Sequence, residues 1–395
     1  MLSPTGRWRT ARSLVTLTSM LLLISACGEL PAPSPAVSSS AGSWHSETLP
    51  GVPGGFRASV FDSSRNCIWI LTRFFRQAGV PRATLTRFNI SDESLTTPLL
   101  ELPATGFIRG SIAVDSKGSV WMSWGRSLVR YDPNAKATQV WPLPQASGIA
   151  TTPEDPGLDG NAVAMAIGFD NEVWVATNSV NSVFGFEPVS ATWDRTIPIP
   201  IEADPLTRLE VTQTGALATN GLQPGSIPAM ALVQTSGGAQ SLVMSHIRSF
   251  VLGANNEIVY VDDHNDVGTA NASLAQPTTL VGNAPIALNV LPTVDSLGNA
   301  WFSLTTVGIG RFDARSSMIT SYPLPQIPLP THGGGIACGQ PPCDRYTQTI
   351  SDPQVQSILA DRNGNLWVTT SVPGTGGDPA TTTSMAPLYE LSGVA

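Results

Sequence analysis

The densest group of potential metal ligands in the sequence is a run of five polar residues, Asp262-Asp263-His264-Asn265-Asp266. Carboxylate oxygens suit Ca²⁺ and Mg²⁺, and an imidazole adds a ligand for transition metals. Asp262, His264 and Asp266 are the candidate metal ligands. The alternative is a solvated acidic turn, because no bidentate Glu follows at the spacing of a known calcium-binding loop. No cofactor is certain from the sequence, and Mg²⁺ and Ca²⁺ are the ions to test.

A second group of polar residues lies in a long stretch between residues 326 and 353. His332 precedes three glycines there, and Asp344 and Arg345 follow it. His332 and His264 are the candidate catalytic residues, as metal ligand or general base, although a lone loop histidine usually has neither role. Asp344 and Arg345 are candidate ligand-binding residues.

The cysteines fall into distinct contexts. Cys338 and Cys343 flank four residues, and in an exported protein this spacing predicts a small disulfide loop. A metal site is the alternative, but no second cysteine pair exists to complete one. Cys67 lies two residues before Trp69 on the same strand face and is predicted to be a buried free thiol.

The N-terminus has the pattern of an export signal. Three arginines, at positions 7, 9 and 12, precede an apolar run over residues 14–26 that is too short to span a membrane as a helix. Residues 23–27 read Leu-Ile-Ser-Ala-Cys and resemble the lipobox of bacterial lipoproteins, which implies cleavage before Cys27 and lipid on its sulfur. A plain secretory signal with an incidental cysteine is the alternative. The expected location is outside the cytoplasm, anchored to the cell membrane or outer membrane.

These candidate groups are set within a repeat that returns along the chain. A short strand is followed by Asp-x-x-Gly-x-hydrophobic-Trp, a second strand, an Arg-aromatic-acid triplet, and a last strand that ends Pro-Leu-Pro. The clearest copies span residues 112–144 and 290–325. Repeats of this length, made of short strands and turns, predict the blades of a β-propeller.

Seven copies of the repeat can be aligned. Their Trp position falls at residues 69, 121, 174, 218, 259, 301 and 367, and two copies have Ala218 and Val259 there. Asn171 replaces the turn glycine in the third copy. We therefore predict an all-β fold, a seven-bladed propeller of four-stranded antiparallel blades over residues 44–395. Residues 1–26 are the predicted signal peptide, and residues 27–43 the lipidated cysteine and a flexible Pro/Ser tether.

The phases of the two termini predict how the ring closes. The chain ends in the sequence of a third strand, whereas residues 46–50 match a fourth strand. We expect these segments to pair, because a propeller left unclosed would expose a sheet edge. The repeated Asp and Gly should form turns, the tryptophans should pack between blades, and Arg87, Arg130 and Arg311 belong to the repeat.

Composition limits the classes of partner. The formal net charge is -8 and no Lys or Arg cluster is present, which argues against a nucleic acid as partner. Ligand-binding groups are expected where the repeat is interrupted, as at residues 145–160, which contain the candidate ligand-binding residue Asp155. A merely solvated acidic stretch is the alternative there. We expect a monomer.

Residues 294–325 carry the most distinctive version of the repeat. They read Asp-x-x-Gly-x-hydrophobic-Trp-Phe, then Ile-Gly-Arg-Phe-Asp, and close with Tyr-Pro-Leu-Pro. This phrase resembles the streptogramin B lyase (virginiamycin B lyase) family, and residues 114–144 match next best. The resemblance implies a propeller in which histidines and a glutamate near the channel mouth act with magnesium to open a cyclic depsipeptide ester by elimination.

The sequence departs from that family at the catalytic positions. Family blades often continue Trp-Phe-Thr-Glu, whereas the runs that begin at Trp121, Trp301 and Trp367 lack the acid. No catalytic residue is carried over for this reason.

Two hypotheses about function follow. The first is a membrane-tethered propeller that binds an extracellular ligand or envelope protein without catalysis. The second is a metal-dependent lyase or hydrolase that uses His264 or His332 with nearby Asp residues, and a sugar-lactone hydrolase is a third possibility. The two main hypotheses differ in whether these side chains converge within about 5 Å at the channel mouth, as a shared metal requires.

Overall fold

A computed structural model shows β-strands and turns throughout the described part of the chain. It describes residues 37–39, 43–48, 55–75, 81–103, 111–144, 162–177, 181–203, 207–235, 241–253, 257–271, 274, 277–287, 290–305, 308–313, 316–325, 354–371 and 387–392. All of them belong to one compact unit, Ser34–Ala395. Among these residues no helix is long and apolar enough to cross a membrane.

Seven sheets surround a channel and form the blades of a propeller, with the first strand of each blade innermost. Blade 1 consists of Gly55–Asp62, Cys67–Phe75, Pro81–Asn89 and Ser94–Pro103. Blade 2 consists of Ser111–Val114, Val120–Trp124, Ser127–Asp132 and Ala137–Pro142. Blade 3 consists of Ala162–Ile167, Val173–Thr177, Ser182–Glu187 and Thr192–Pro198.

The remaining blades follow in chain order around the ring. Blade 4 consists of Leu209–Val211, Leu217–Gln223, Ile227–Val233 and Ser241–Ser245. Blade 5 consists of Ile247–Leu252, Ile258–Asp262, Val267–Ala270 and Thr278–Val281. Blade 6 consists of Thr293–Val294, Ala300–Ser303, Gly308–Asp313 and Met318–Pro323. Blade 7 begins with Gln354–Ala360, Leu366–Ser371 and Pro387–Ser392. The predicted fold and blade count are confirmed.

The N-terminal segment completes two blades. Ser43–Thr48 is the fourth strand of blade 7 and pairs antiparallel with Pro387–Ser392, which confirms the predicted closure of the ring. Val37–Ser39 adds a fifth strand to blade 6 by pairing in parallel with Met318–Pro323. These three residues lie within the segment predicted as a tether, and their pairing was not predicted.

The turns of the propeller lie on two faces, because successive strands of a blade run in opposite directions. We call the face with the turns between first and second strands, and between third and fourth strands, the back face. The front face carries the turns between second and third strands and the connections from one blade to the next.

The repeated aspartate binds both its own turn and the tryptophan of its blade. In blade 2, Oδ1 of Asp115 accepts hydrogen bonds from the backbone N–H groups of Lys117 and Ser119 at 3.0 and 2.7 Å. Its Oδ2 accepts a hydrogen bond from Nε1 of Trp121 at 2.9 Å. The same indole bond recurs in blades 1, 6 and 7, in the pairs Asp62–Trp69, Asp295–Trp301 and Asp361–Trp367. The turn role was predicted from the sequence, whereas the bond to the indole was not.

Blade 3 achieves a related arrangement with different residues. Gly168 takes the Asp position, and the buried Glu172 accepts a hydrogen bond from Nη1 of Arg195 at 3.1 Å. The Arg195 guanidinium lies 5.9 Å from the Trp174 ring centroid. Gly185, opposite Arg195, leaves the space that Oε1 of Glu172 fills, since a Cβ there would lie 2.7 Å from it. Burial raises the pKa of Glu172 to about 7, and Arg195 opposes that shift.

We expect Asp115→Ala to lower the free energy of unfolding by about 3 kcal/mol, because it leaves the buried indole N–H of Trp121 without its acceptor. Urea denaturation measures the change. Lys117→Ala is the matched control, since this exposed residue in the same turn contributes its backbone N–H and not its side chain. Equal stability of the two variants would contradict a structural role for the Asp115–Trp121 bond.

The raised pKa of Glu172 predicts that the stability of the folded chain depends on pH. The Glu172 carboxyl has a pKa of about 7 in the folded chain against an ordinary value of 4.5, so the folded chain binds this proton more tightly. The resulting stabilisation is complete below the unfolded pKa and is lost as the pH rises through the folded pKa. We expect the melting temperature to fall between about pH 5 and about pH 8, and Glu172→Gln to reduce that fall. Glu187→Gln is the control, and an unchanged slope in Glu172→Gln would refute the assignment.

Candidate functional site

The polar run of blade 5 forms a front-face turn between the second and third strands of that blade. Asp262 ends the second strand, and its Oδ1 accepts hydrogen bonds from the backbone N–H groups of His264 and Asp266 at 2.9 and 2.8 Å. The side chain of Asp262 therefore stabilises the turn. The side chain of Asp266 instead binds the segment after the fourth strand of blade 5, where its Oδ1 accepts a hydrogen bond from the backbone N–H of Asn283 at 2.7 Å.

Two histidines flank a single carboxylate at this turn. Nδ1 of His246 lies 2.7 Å from Oδ2 of Asp263, and Nδ1 of His264 lies 2.9 Å from Oδ1 of the same side chain. Both imidazoles are exposed. The hydrogen bond from His246 holds the pKa of Asp263 below its usual range. The cluster thus offers an ionised carboxylate between two imidazoles on the front face.

Sequence reasoning missed the roles of His246 and Asp263. His246 is the single residue between the last strand of blade 4 and the first strand of blade 5. Because Ile247 pairs with Asp262, the residue before one lies beside the residue after the other. The contact follows from the pairing of Ile247 with Asp262 in blade 5. That pairing could be predicted from the sequence only by aligning the decayed copies of the repeat strand by strand.

The structure brings part of the predicted metal site together. Asp262, Asp263 and His264 each offer a ligand atom, and these atoms lie within 4.8 Å of one another. Asp266 is not part of this group. A metal ion and a solvated acidic turn both remain alternatives here, and Asp263 is an additional ligand that the geometry offers to a metal.

Asp262 lies three residues after the Trp position of its repeat. In blade 5 that Trp position is occupied by Val259. The position of Asp262 in the repeat holds Trp124, Leu304 and Thr370 in blades 2, 6 and 7. The acid that those three runs lack is therefore present in blade 5, where the loss of the tryptophan had hidden it.

The channel is a cavity of about 390 Å³ lined by the first strands of blades 1, 2, 3, 4, 6 and 7 and by residues just before those of blades 4 and 6. Among the described residues that line it, the charged ones are Arg208 and Glu210. Nε of Arg208 donates to Oε1 of Glu210, and its Nη1 donates to the backbone oxygen of Pro292. Oε2 of Glu210 accepts a hydrogen bond from the backbone N–H of Leu252 at 3.0 Å. This ion pair links blades 4, 5 and 6.

Hydroxyl groups line the opposite side of the channel. The Oγ atoms of Ser59 and Ser357 lie 2.8 Å apart and join blade 1 to blade 7. Ser357 also lies 2.7 Å from Oγ1 of Thr369 in its own blade. The described channel residues include no histidine that could activate these hydroxyls, and His246, Asp263 and His264 are not among them.

The other predicted site residues lie outside the described part of the chain. They are Cys27, Asp155, His332, Cys338, Cys343, Asp344 and Arg345. Cys67 is described, and it is buried and free as predicted. Burial raises the pKa of its thiol to about 12, so it has little tendency to ionise.

Comparisons with known proteins establish the type of propeller. A family model described as "Two component regulator propeller" matches residues 349–371, and no curated protein matches the chain. A streptogramin B lyase structure has 11% identity and a TM-score of 0.60, with 88% of this chain and 96% of that chain covered. A catalytically inactive virginiamycin B lyase from Staphylococcus aureus with quinupristin has 14% identity and a TM-score of 0.58, with 88% and 98% covered.

A third similar structure has a different role. PorZ, a bacterial surface component of the type-IX secretion system of Porphyromonas gingivalis, has 12% identity and a TM-score of 0.54. The match covers 86% of this chain and 47% of PorZ. At these identities the likeness shows the fold alone, which is a β-propeller like that of streptogramin B lyase.

The cluster on the front face makes a prediction about metals. We expect Mg²⁺ or Ca²⁺, added singly after chelation, to leave the melting temperature unchanged, because Asp262 is already bound to two backbone N–H groups. Mn²⁺ and Zn²⁺ are tested in the same series. A rise of several degrees that Asp263→Ala abolishes, and that the exposed-turn control Asp92→Ala retains, would contradict the expectation and establish a metal site.

Proposed function

We propose that this chain is an exported propeller lipoprotein, tethered to a membrane by lipid on Cys27, that binds a ligand outside the cytoplasm without catalysis. The ligand is a peptide, a glycan or an envelope protein, and the protein acts as a monomer with no nucleic-acid partner. We infer the absence of catalysis from Arg208 and Glu210 in the channel. These two side chains are bound to each other and to neighbouring blades.

The chemistry of ester elimination explains why that observation matters. Elimination needs a base to take a proton and an acid or metal to hold the developing charge. The charged groups of the described channel, the Arg208 guanidinium and the Glu210 carboxylate, neutralise each other. The other hydrogen bonds described for these two side chains are to backbone groups. A channel arranged in this way favours a structural or binding role over proton transfer.

The similar structures span more than one role. They include a lyase and a surface component of a secretion system. A shared propeller fold therefore does not distinguish catalysis from binding. The distinction has to come from the side chains at the site.

A second candidate function, a metal-dependent lyase of the virginiamycin B lyase type, is favoured by one observation. Asp262, Asp263 and His264 offer ligand atoms within 4.8 Å of one another, at the blade position where the lyase family often has an acid. The cluster lies outside the described lining of the channel, which places it second.

The full chain, purified from membranes in detergent, tests the proposal. Mass spectrometry of the N-terminal peptide should show lipid on Cys27, and Cys27→Ser should lack it and leave the membrane fraction. The same preparation is then incubated with quinupristin, with and without Mg²⁺. We expect quinupristin to be recovered unchanged.

The outcome separates the two candidates. Ring opening by elimination leaves the mass of quinupristin unchanged but alters its chromatographic retention. A linear product that requires Mg²⁺, and that Asp263→Ala abolishes, would overturn the binding proposal in favour of the lyase. An unlipidated Cys27 in the wild-type chain would overturn the tether alone.

A further inference from the structure

The direction of the first described strand shows on which face the N-terminal segment reaches the ring. Val37–Ser39 runs parallel to Met318–Pro323, with Val37 opposite Ile319 and Ser39 opposite Ser321. Met318–Pro323 is the fourth strand of blade 6, so it runs from the back face toward the front face. The N-terminal end of Val37–Ser39 therefore lies toward the back face at the outer edge of blade 6.

The distance from the proposed lipid anchor to this point is short. Val37 follows Cys27 by ten positions, which span at most about 36 Å even when fully extended. Acyl chains on Cys27 would hold that residue at the membrane surface. The outer edge of blade 6 is then confined near the bilayer and reached from the back face.

The exposed apolar side chains provide an independent observation. The three most exposed large apolar side chains of the described residues are Val189, Phe169 and Leu297, at 87%, 73% and 60%. Phe169 and Leu297 lie in the turns between first and second strands of blades 3 and 6, and Val189 lies in the turn between third and fourth strands of blade 3. All three turns are on the back face. Isolated apolar tips on one face suit contact with the headgroup boundary of a bilayer.

The charges on the back face do not select a particular lipid. Exposed side chains of both signs occur in its turns: Lys117, Lys136, Arg362, Asp92, Glu93, Asp170 and Glu257. Because positive charges are not in excess, attraction to this face should arise from the apolar tips and not from anionic headgroups.

We propose that the back face of the propeller lies against the membrane, with Phe169, Val189 and Leu297 in contact with the lipid headgroup region. The front face, with the cluster of His246, Asp263 and His264, then points away from the bilayer toward soluble ligands. This orientation rests on the proposed lipid anchor at Cys27.

The test uses the full lipidated chain in phosphatidylcholine vesicles that contain a lipid with a nitroxide on its headgroup. An environment-sensitive dye is attached to Val189→Cys on the back face or to Ile227→Cys, which begins the third strand of blade 4 at the front face. The wild-type chain, treated in parallel, gives the background from native cysteines. Quenching at position 189 should exceed that at position 227 by about two-fold or more, because apolar tips enter the outer few ångströms of the bilayer.

Further arms of the experiment test the cause. Phe169→Ser combined with Leu297→Ser should reduce quenching at position 189, whereas Ile227→Ser should not. Replacing part of the phosphatidylcholine with phosphatidylglycerol should leave the result unchanged. Equal quenching at the two positions, or greater quenching at position 227, would overturn the orientation.

Failure of the anchor gives a different result. If Cys27 carries no lipid, its peptide shows the unmodified mass and the chain separates from the vesicles, which overturns the proposed tether and the orientation with it. A lipidated, vesicle-bound chain with the wrong quenching order overturns the orientation and leaves the tether intact.

Discussion

The hydrogen bond from a tryptophan indole to a turn aspartate is the interaction on which the regular blades depend. One carboxylate closes the turn between two strands and fixes the large side chain that fills the wedge between blades, as Asp115 and Asp295 do. The turn and the core are thereby coupled, and neither can shift without the other. Since the indole N–H is buried, its acceptor is required rather than optional.

The two blades that lack the tryptophan, blades 4 and 5, are the ones that contain the channel ion pair and the histidine cluster. In blade 4, Thr212 replaces the aspartate. Its Oγ1 accepts a hydrogen bond from the backbone N–H of Ala216 and lies 2.9 Å from Oγ1 of Thr214. Ala218, at the Trp position, pairs across the sheet with Glu210, whose side chain reaches to blade 5. In blade 5 the large aromatic moves to Tyr260, over a glycine at position 268 where a Cβ would lie 2.3 Å from its ring. The tryptophan is thus absent where Glu210 links blade 4 to blade 5.

Much of the fold followed from the sequence because the repeat is local. The positions of Trp121 and Trp301, the turn at Asn171 with its positive φ of 66°, and the pairing of the terminal strands can all be read from short patterns. The contact between His246 and Asp263 could not be found in this way, because it depends on the register of strands whose own repeats have decayed. The parallel pairing of Val37–Ser39 has no local pattern, since three residues carry no recognisable periodicity.

Closure of the ring by the two ends of the chain determines when folding can finish. Ser43–Thr48 precedes every strand of blade 1 in the chain, whereas its partner Pro387–Ser392 follows all the other described strands. Ser43–Thr48 must therefore wait, unpaired, until about 340 residues have followed it, and contacts of such long range form slowly. During translation blade 7 is the last blade to become complete. A premature stop before Pro387 would consequently remove this strand and at the same time leave Ser43–Thr48 without its partner.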